Sequence, residues 1–148
     1  MPGRKNGTMT MPQMIFVNLP VKDLEVSKGF FGKLGFGFNP HFSDETTACL
    51  VISDTIFAML ITEPRFKEFT KKEIADAGKT TEVLVALSAE SRARVDELAD
   101  AALASGGSPA NDPIDMGFMY GRSFQDPDHH IWEVVWMDPE AAANGGQA

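Results

Sequence analysis

The sequence predicts an α+β fold in which one order of elements, strand, helix, three strands, is used twice. Three observations carry the prediction. Two amphipathic helix patterns, at residues 23–34 and 90–104, each follow a strand candidate. Three further strand candidates follow each helix. The stretch 123–136 then reads as strand, Asp126-Pro127-Asp128 turn and strand, closing in an aromatic and β-branched run.

The elements are justified in order. Residues 1–13 carry glycine, proline and threonine without periodicity and predict a loose tail. In strand 14–21, Ile15, Val17, Leu19 and Val21 share a face suited to packing under a helix. Phe16, Asn18 and Pro20 occupy the other face. Asp23 stands where a helix N-cap is expected, with Leu24, Ser27, Phe30, Phe31 and Leu34 at helical spacing and Gly35 as the stop. Gly29 and Gly32 lower helix propensity, and the expectation is that they make room for close packing. Strands follow at 36–42, 47–52 and 55–62, the last two joined by a hairpin turn at Ser53-Asp54.

Residues 63–80 break the strand pattern. Phe66, Phe69 and Ile74 have roughly helical spacing, and Arg65, Lys67, Lys71 and Lys72 concentrate positive charge. The pattern leaves open a short amphipathic helix with a solvated basic face or a flap that meets an anionic ligand. Strand 81–88 and helix 90–104 restart the order, with Val95, Leu98, Ala99, Ala102 and Leu103 as the helix stripe and Glu90 spaced to pair with Arg94. Strands at 108–110, 116–124 and 130–136 complete it. A second tail is expected at 138–148.

Alternation along the last strand is informative. Trp132, Val134 and Trp136 point one way, and Ile131, Glu133 and Val135 the other. A carboxylate between two aliphatic neighbours needs a cation, a donor or a water-filled cavity. Glu133 is therefore the leading functional candidate.

Composition narrows the classes. A net charge of -8 argues against general nucleic-acid binding, because nothing offsets phosphate repulsion. The single Cys49 excludes an internal disulfide and a multi-cysteine zinc site, and its apolar surroundings predict a packed thiol. No apolar run is long enough to cross a bilayer, and no apolar segment follows Arg4 and Lys5 as in a secretory signal. The expectation is a cytoplasmic protein without a membrane partner.

Two stretches, Val21-Lys-Asp-Leu-Glu-Val-Ser-Lys-Gly-Phe-Phe-Gly-Lys-Leu-Gly-Phe36 and Phe124-Gln-Asp-Pro-Asp-His-His-Ile-Trp-Glu133, together with the element order, resemble the vicinal oxygen chelate superfamily. That group includes glyoxalase I, bleomycin-resistance proteins, extradiol dioxygenases and fosfomycin-resistance enzymes. The resemblance covers about residues 14–137. It implies two βαβββ modules, at about 14–62 and 81–137 with 63–80 connecting them, in one domain. Their curled mixed sheets would surround a shared concave pocket, usually in a homodimer.

In metal-bearing members the ligands come from the first and last strands of the modules. The carboxylate on the final strand matches Glu133. The usual histidine position falls on Phe16, or on Asn18 if the register slips by two. The last strand of module one offers Met59 or Leu60, and the first strand of module two offers Glu82 or Leu84. A phenyl ring or thioether cannot replace imidazole for a divalent ion. No cofactor is therefore expected. A divalent metal, if held at all, would use Glu133 with Glu82 or His130. His129 replaces the glycine usual after Asp128, and His130 and His41 each stay open between a turn position facing solvent and a site contact.

Two functions follow. One is a metal-free pocket for a small molecule, as in bleomycin-resistance proteins, with Asn18, Glu82, Tyr120, Arg122 and Glu133 as polar contacts and Phe16 and Met59 as apolar wall. The other is an enzyme of glyoxalase-like lyase or isomerase or dioxygenase-like type, with Glu133 as metal ligand or general acid/base. A fold kept for protein interaction ranks third. The face taken by Arg122 is not settled by pattern.

Overall fold

The structure, a computed structural model, describes residues 11–144 and the backbone of residues 4–5 and 8–9. The expected tails lie partly outside the described residues. Within them, β1 (Arg4–Lys5) pairs antiparallel with β2 (Thr8–Met9). At the other end, α4 (Pro139–Ala143) is capped by Asp138 and buries Ala141, so the chain stays ordered past the last strand.

The repeated order is present. The first module runs β3 (Ile15–Val21), α1 (Leu24–Lys33), β4 (Gly37–Phe38), β5 (Thr47–Val51) and β6 (Ile56–Thr62). Its sheet has the order β3-β6-β5-β4, with β3 parallel to β6 and the other pairs antiparallel. A connector holding α2 (Glu63–Phe66) leads to the second module. That module comprises β7 (Leu84–Ser88), α3 (Arg92–Ala104), β8 (Ser108–Pro109), β9 (Ile114–Asp115), β10 (Met119–Gln125) and β11 (Ile131–Met137). Its sheet runs β7-β11-β10-β8, with β9 added to β10 and β7 parallel to β11. The fold is α+β, two mixed sheets that do not close.

Helix α1 starts where its cap dictates. Asp23 accepts from the N–H groups of Glu25 (3.0 Å) and Val26 (3.3 Å), satisfying donors that have no partner inside the helix. It packs Phe30 and Phe31 against the other module, Phe31 reaching Trp132 at 5.1 Å between ring centroids and Phe30 reaching Phe124 at 6.0 Å. The predicted helix-facing rows meet in one core except at Ile15, which is exposed. Leu19 and Val21 from β3 join Trp132 and Val134 from β11, all essentially without exposure. Burial of such side chains contributes roughly 2–3 kcal/mol each.

Several boundaries differ from expectation for local reasons. Helix α3 begins at Arg92, because Ser91 accepts from the Arg94 N–H and thereby caps it. Glu90 is left outside the helix, and Arg94 pairs with Glu97 instead. The strand expected at 36–42 stops after Phe38. Pro40 has no N–H to donate to a ladder, and Asn39 caps a turn of 3₁₀ helix over Pro40–Phe42. The strand expected at 116–124 begins only at Met119, after a turn at Gly117 (φ 82°), a conformation glycine enters without a Cβ clash, and β9 lies ahead of that turn.

The close packing expected at Gly29 and Gly32 is not found. A Cβ built at either meets nothing within 4 Å. Gly29→Ala is therefore expected to stabilise the protein by about 0.5–1 kcal/mol through helix propensity alone, measured as a higher urea midpoint. A lower midpoint would mean that the face of α1 carrying Gly29 is covered in solution.

Candidate functional site

The two faces of β11 separate as its alternation predicts. Trp132 and Val134 are buried on the helix side, while Glu133 is half-buried on the other. Glu133 stands beside Ala86 of β7 and Ser123 of β10 in the ladder. It lines a cavity of about 370 Å³ together with Ile114, Met119, Gly121, Ser123 and Val135. Asn111 and Asp112 form part of the rim. Ser123 is already committed: its hydroxyl accepts from the Asn111 N–H at 2.8 Å, which ties the β8–β9 loop to the sheet. Among the described residues no cation pairs with Glu133.

Tyr120 and Arg122 do not join it. Strand alternation places them on the face covered by α3, opposite Trp136 and Val134 in the ladder. The Tyr120 hydroxyl donates to Asp96 at 2.6 Å, and the Arg122 guanidinium pairs with Asp96 (3.0 Å) and Asp100 (2.8 Å). The Tyr120 hydrogen bond, then Arg122, holds the Asp96 carboxyl below its ordinary value, and the same bond raises the Tyr120 phenol. These side chains fasten α3 to its sheet, and their polar ends stand away from Glu133. Arg122 borders the Glu133 cavity while its charged end is held by α3. Arg92 extends the network, stacking over Tyr120 and Trp136 and gripping Asp115 with two hydrogen bonds.

Phe16, Asn18 and Met59 lie together on the first sheet. Phe16 stacks on Phe57 at 5.0 Å, and Asn18 faces Met59 across the β3–β6 ladder. None of them lines the Glu133 cavity, which is built from module two alone. The pocket shared between modules is thus not formed within one chain at Glu133. Glu82 is exposed and lies ahead of β7, outside that cavity.

His130 is not a solvent-facing turn residue. It is 4% exposed, with Nε2 2.7 Å from the Pro20 carbonyl oxygen, so it joins the two modules and stands apart from Glu133. Asp126, expected from the turn pattern to bond nearby backbone, accepts from the N–H groups of Asp128 (2.9 Å) and His130 (3.1 Å); it is also buried and accepts from Trp132 Nε1 (2.9 Å), a contact the pattern did not give. Cys49 is the packed thiol its surroundings predict, and burial pushes that thiol above its ordinary value.

Metal chemistry, which the resemblance implies, requires three or more converging donors. Among the described residues no three His, Cys, Asp or Glu side chains come together in that way. The donor set does not fit, and no step is derived through a metal. Among the described residues no helix is long and apolar enough to cross a membrane.

Comparisons with known proteins agree with this architecture. Residues 13–53 match the family described as bleomycin resistance protein-like N-terminal. No curated protein matches the chain. Among solved structures, a hypothetical protein from S. aureus is 26% identical, with a TM-score of 0.72 over 85% of this chain and 94% of that one. A glyoxalase/bleomycin resistance protein/dioxygenase family enzyme from Burkholderia phytofirmans PsJN is 14% identical, with a TM-score of 0.69 over 85% and 99%. A genomically encoded fosfomycin resistance protein from Listeria monocytogenes is 18% identical, with a TM-score of 0.62 over 88% and 97%. With both βαβββ modules in place and the N-terminal stretch matched, the chain has the paired-module fold that its resemblance to the vicinal oxygen chelate superfamily implies.

Proposed function

We propose that the chain binds a small molecule on the open face of its second sheet, anchored by Glu133 and without a divalent metal. The observation that carries this is the half-buried Glu133 carboxylate, set between aliphatic neighbours in a largely apolar hollow, with no ion pair to it among the described residues and the bordering Arg122 held by Asp96 and Asp100. A half-buried carboxylate attracts a ligand that brings its own positive charge or hydroxyl donor, and the apolar walls reward a hydrophobic body. A cytoplasmic setting and a homodimer belong to the same reading. Strands β3 and β7 are open sheet edges with Ile15, Phe16 and Leu84 exposed. A second copy would cover them and could bring Phe16, Asn18 and Met59 to the mouth of the cavity.

The alternative is proton transfer by Glu133 in a metal-free reaction, for which an unpaired carboxylate is chemically competent. Both readings meet in Glu133→Gln, which keeps the shape and removes the charge. Titration of a hydrophobic amine such as phenethylamine by calorimetry is expected to show binding weakened about tenfold or more, or about 1.4 kcal/mol. The urea midpoint and the dimer seen by sedimentation should not change. Equal affinity in both proteins would sink the assignment, and a monomer at micromolar concentration would sink the dimer.

A further inference from the structure

A second cavity, of about 250 Å³, lies where the connector meets the 126–130 turn and the end of β3. It shares no lining residue with the Glu133 cavity. Its wall holds the Lys22 ammonium and the His129 imidazole on one hand, the Glu63, Asp76 and Asp128 carboxylates on the other, with Ile74 as an apolar surface. Two of the carboxylates are engaged internally. Asp128 accepts from the Lys22 N–H at 2.9 Å and the Ser27 hydroxyl at 3.3 Å, and Asp76 accepts from the Gly78 N–H at 3.0 Å. Lys22 and Glu63 are in no ion pair among the described residues.

His129 is placed there at a conformational cost. Its φ is 68°, left-handed backbone, and it is the one described non-glycine residue in that region. Glycine would adopt it without strain. Its imidazole packs by Gly78 on the cavity wall, Cδ2 lying 3.6 Å from where a Gly78 Cβ would sit. Strained side chains of this kind are tolerated where the side chain itself is used.

We infer that this cavity is a separate site for a small zwitterion of the α-amino acid class. The ligand carboxylate would face Lys22 and His129, its ammonium Glu63, and its side chain Ile74. A single-charge ligand would engage only one of the two unpaired charges, the exposed Lys22 or the half-buried Glu63, which is why both ends are needed. Opposite free charges lining one hollow of this size are what a compact zwitterion complements.

The test is calorimetric titration with L-leucine and L-alanine, and with the two halves of leucine, 3-methylbutylamine and 4-methylpentanoate. At least one amino acid is expected to bind, with leucine about tenfold or more tighter than either half. Lys22→Met should weaken leucine and 4-methylpentanoate while sparing the amine. Glu63→Gln should weaken leucine and the amine while sparing the acid. Glu133→Gln should change none of these.

His129→Gly gives a readout that packing alone would not. It should raise the thermal midpoint, because strain is relieved, while weakening amino acid binding several-fold. If His129 served packing only, the midpoint would fall and affinity would hold. The inference is overturned if neither amino acid binds, if either half binds as tightly as leucine, or if Lys22→Met and Glu63→Gln leave the titrations unchanged.

Discussion

Asp126→Asn is expected to cost about 3 kcal/mol of folding stability, the upper range for hydrogen bonds to a charged group inside a protein. One oxygen of the native carboxylate serves two backbone N–H groups, and the other serves the Trp132 indole N–H. An amide can keep the first role. Its NH₂ then meets the indole N–H, donor against donor, in a place water does not reach. Trp132→Phe removes the indole donor, so the double variant should cost clearly less than the sum of the singles. Urea unfolding of all four proteins measures this. Strict additivity, or a loss under 0.5 kcal/mol for Asp126→Asn, would show that the turn is not held by this contact.

The same group carries a pH dependence. Burial is the leading influence on Asp126 and raises its carboxyl above the ordinary 3.8, against the opposing hydrogen bonds and the neighbouring His130. The native state then holds that proton more tightly than the unfolded chain does. Its stabilising contribution is fullest below the ordinary value and is lost as pH rises through the native one. The stability difference between wild type and Asp126→Asn should therefore shrink with rising pH across the acidic range. A difference that grows would reverse the sign of the argument.

Gly107→Ala is expected to cost about 3 kcal/mol, the upper range for forcing extra volume into a packed interior. A Cβ there would lie 2.7 Å from the Gln125 carbonyl oxygen, 2.8 Å from that of Ala102 and 3.1 Å from Phe30 Cε1. Two of the three obstacles are backbone, held by the α3 end and by β10, so neither can step aside cheaply. The Gly107 N–H also donates to Ala102 at 2.9 Å, closing α3. Relief would have to come from moving β10, which carries the wall of the Glu133 cavity. A urea midpoint unchanged in Gly107→Ala would show that the α3–β10 junction is looser than its geometry. Gly29→Ala, with open space around it, is the matched control with the opposite sign.

These two glycines mark where sequence reading stops. Both belong to a helix or its end and look alike in composition, yet one faces open space and the other the carbonyl of Gln125 and the ring of Phe30, brought from distant segments. Propensity is a local property, while close approach depends on what the rest of the chain brings near. Tyr120 and Arg122 teach the same lesson. Alternation put them on one strand face together, but only the docking of α3 supplied Asp96 and Asp100 and turned them into fasteners.

What the sequence by itself determined is the local and periodic part: the doubled order of elements, the Asp23 cap, the two faces of β11 and hence the side on which Glu133 stands. Those follow from φ/ψ preferences, side-chain period and hydrogen-bonding chemistry, each of which acts over a few residues. Tertiary structure alone decided which groups meet. It placed His130 under Pro20, buried Asp126 against Trp132, set Phe16, Asn18 and Met59 on a sheet apart from Glu133, and opened the mixed-charge hollow beside His129. The physical reason is that contacts between residues about a hundred positions apart, as between Lys22 and Asp128, arise from packing two modules together, and no local pattern encodes that geometry.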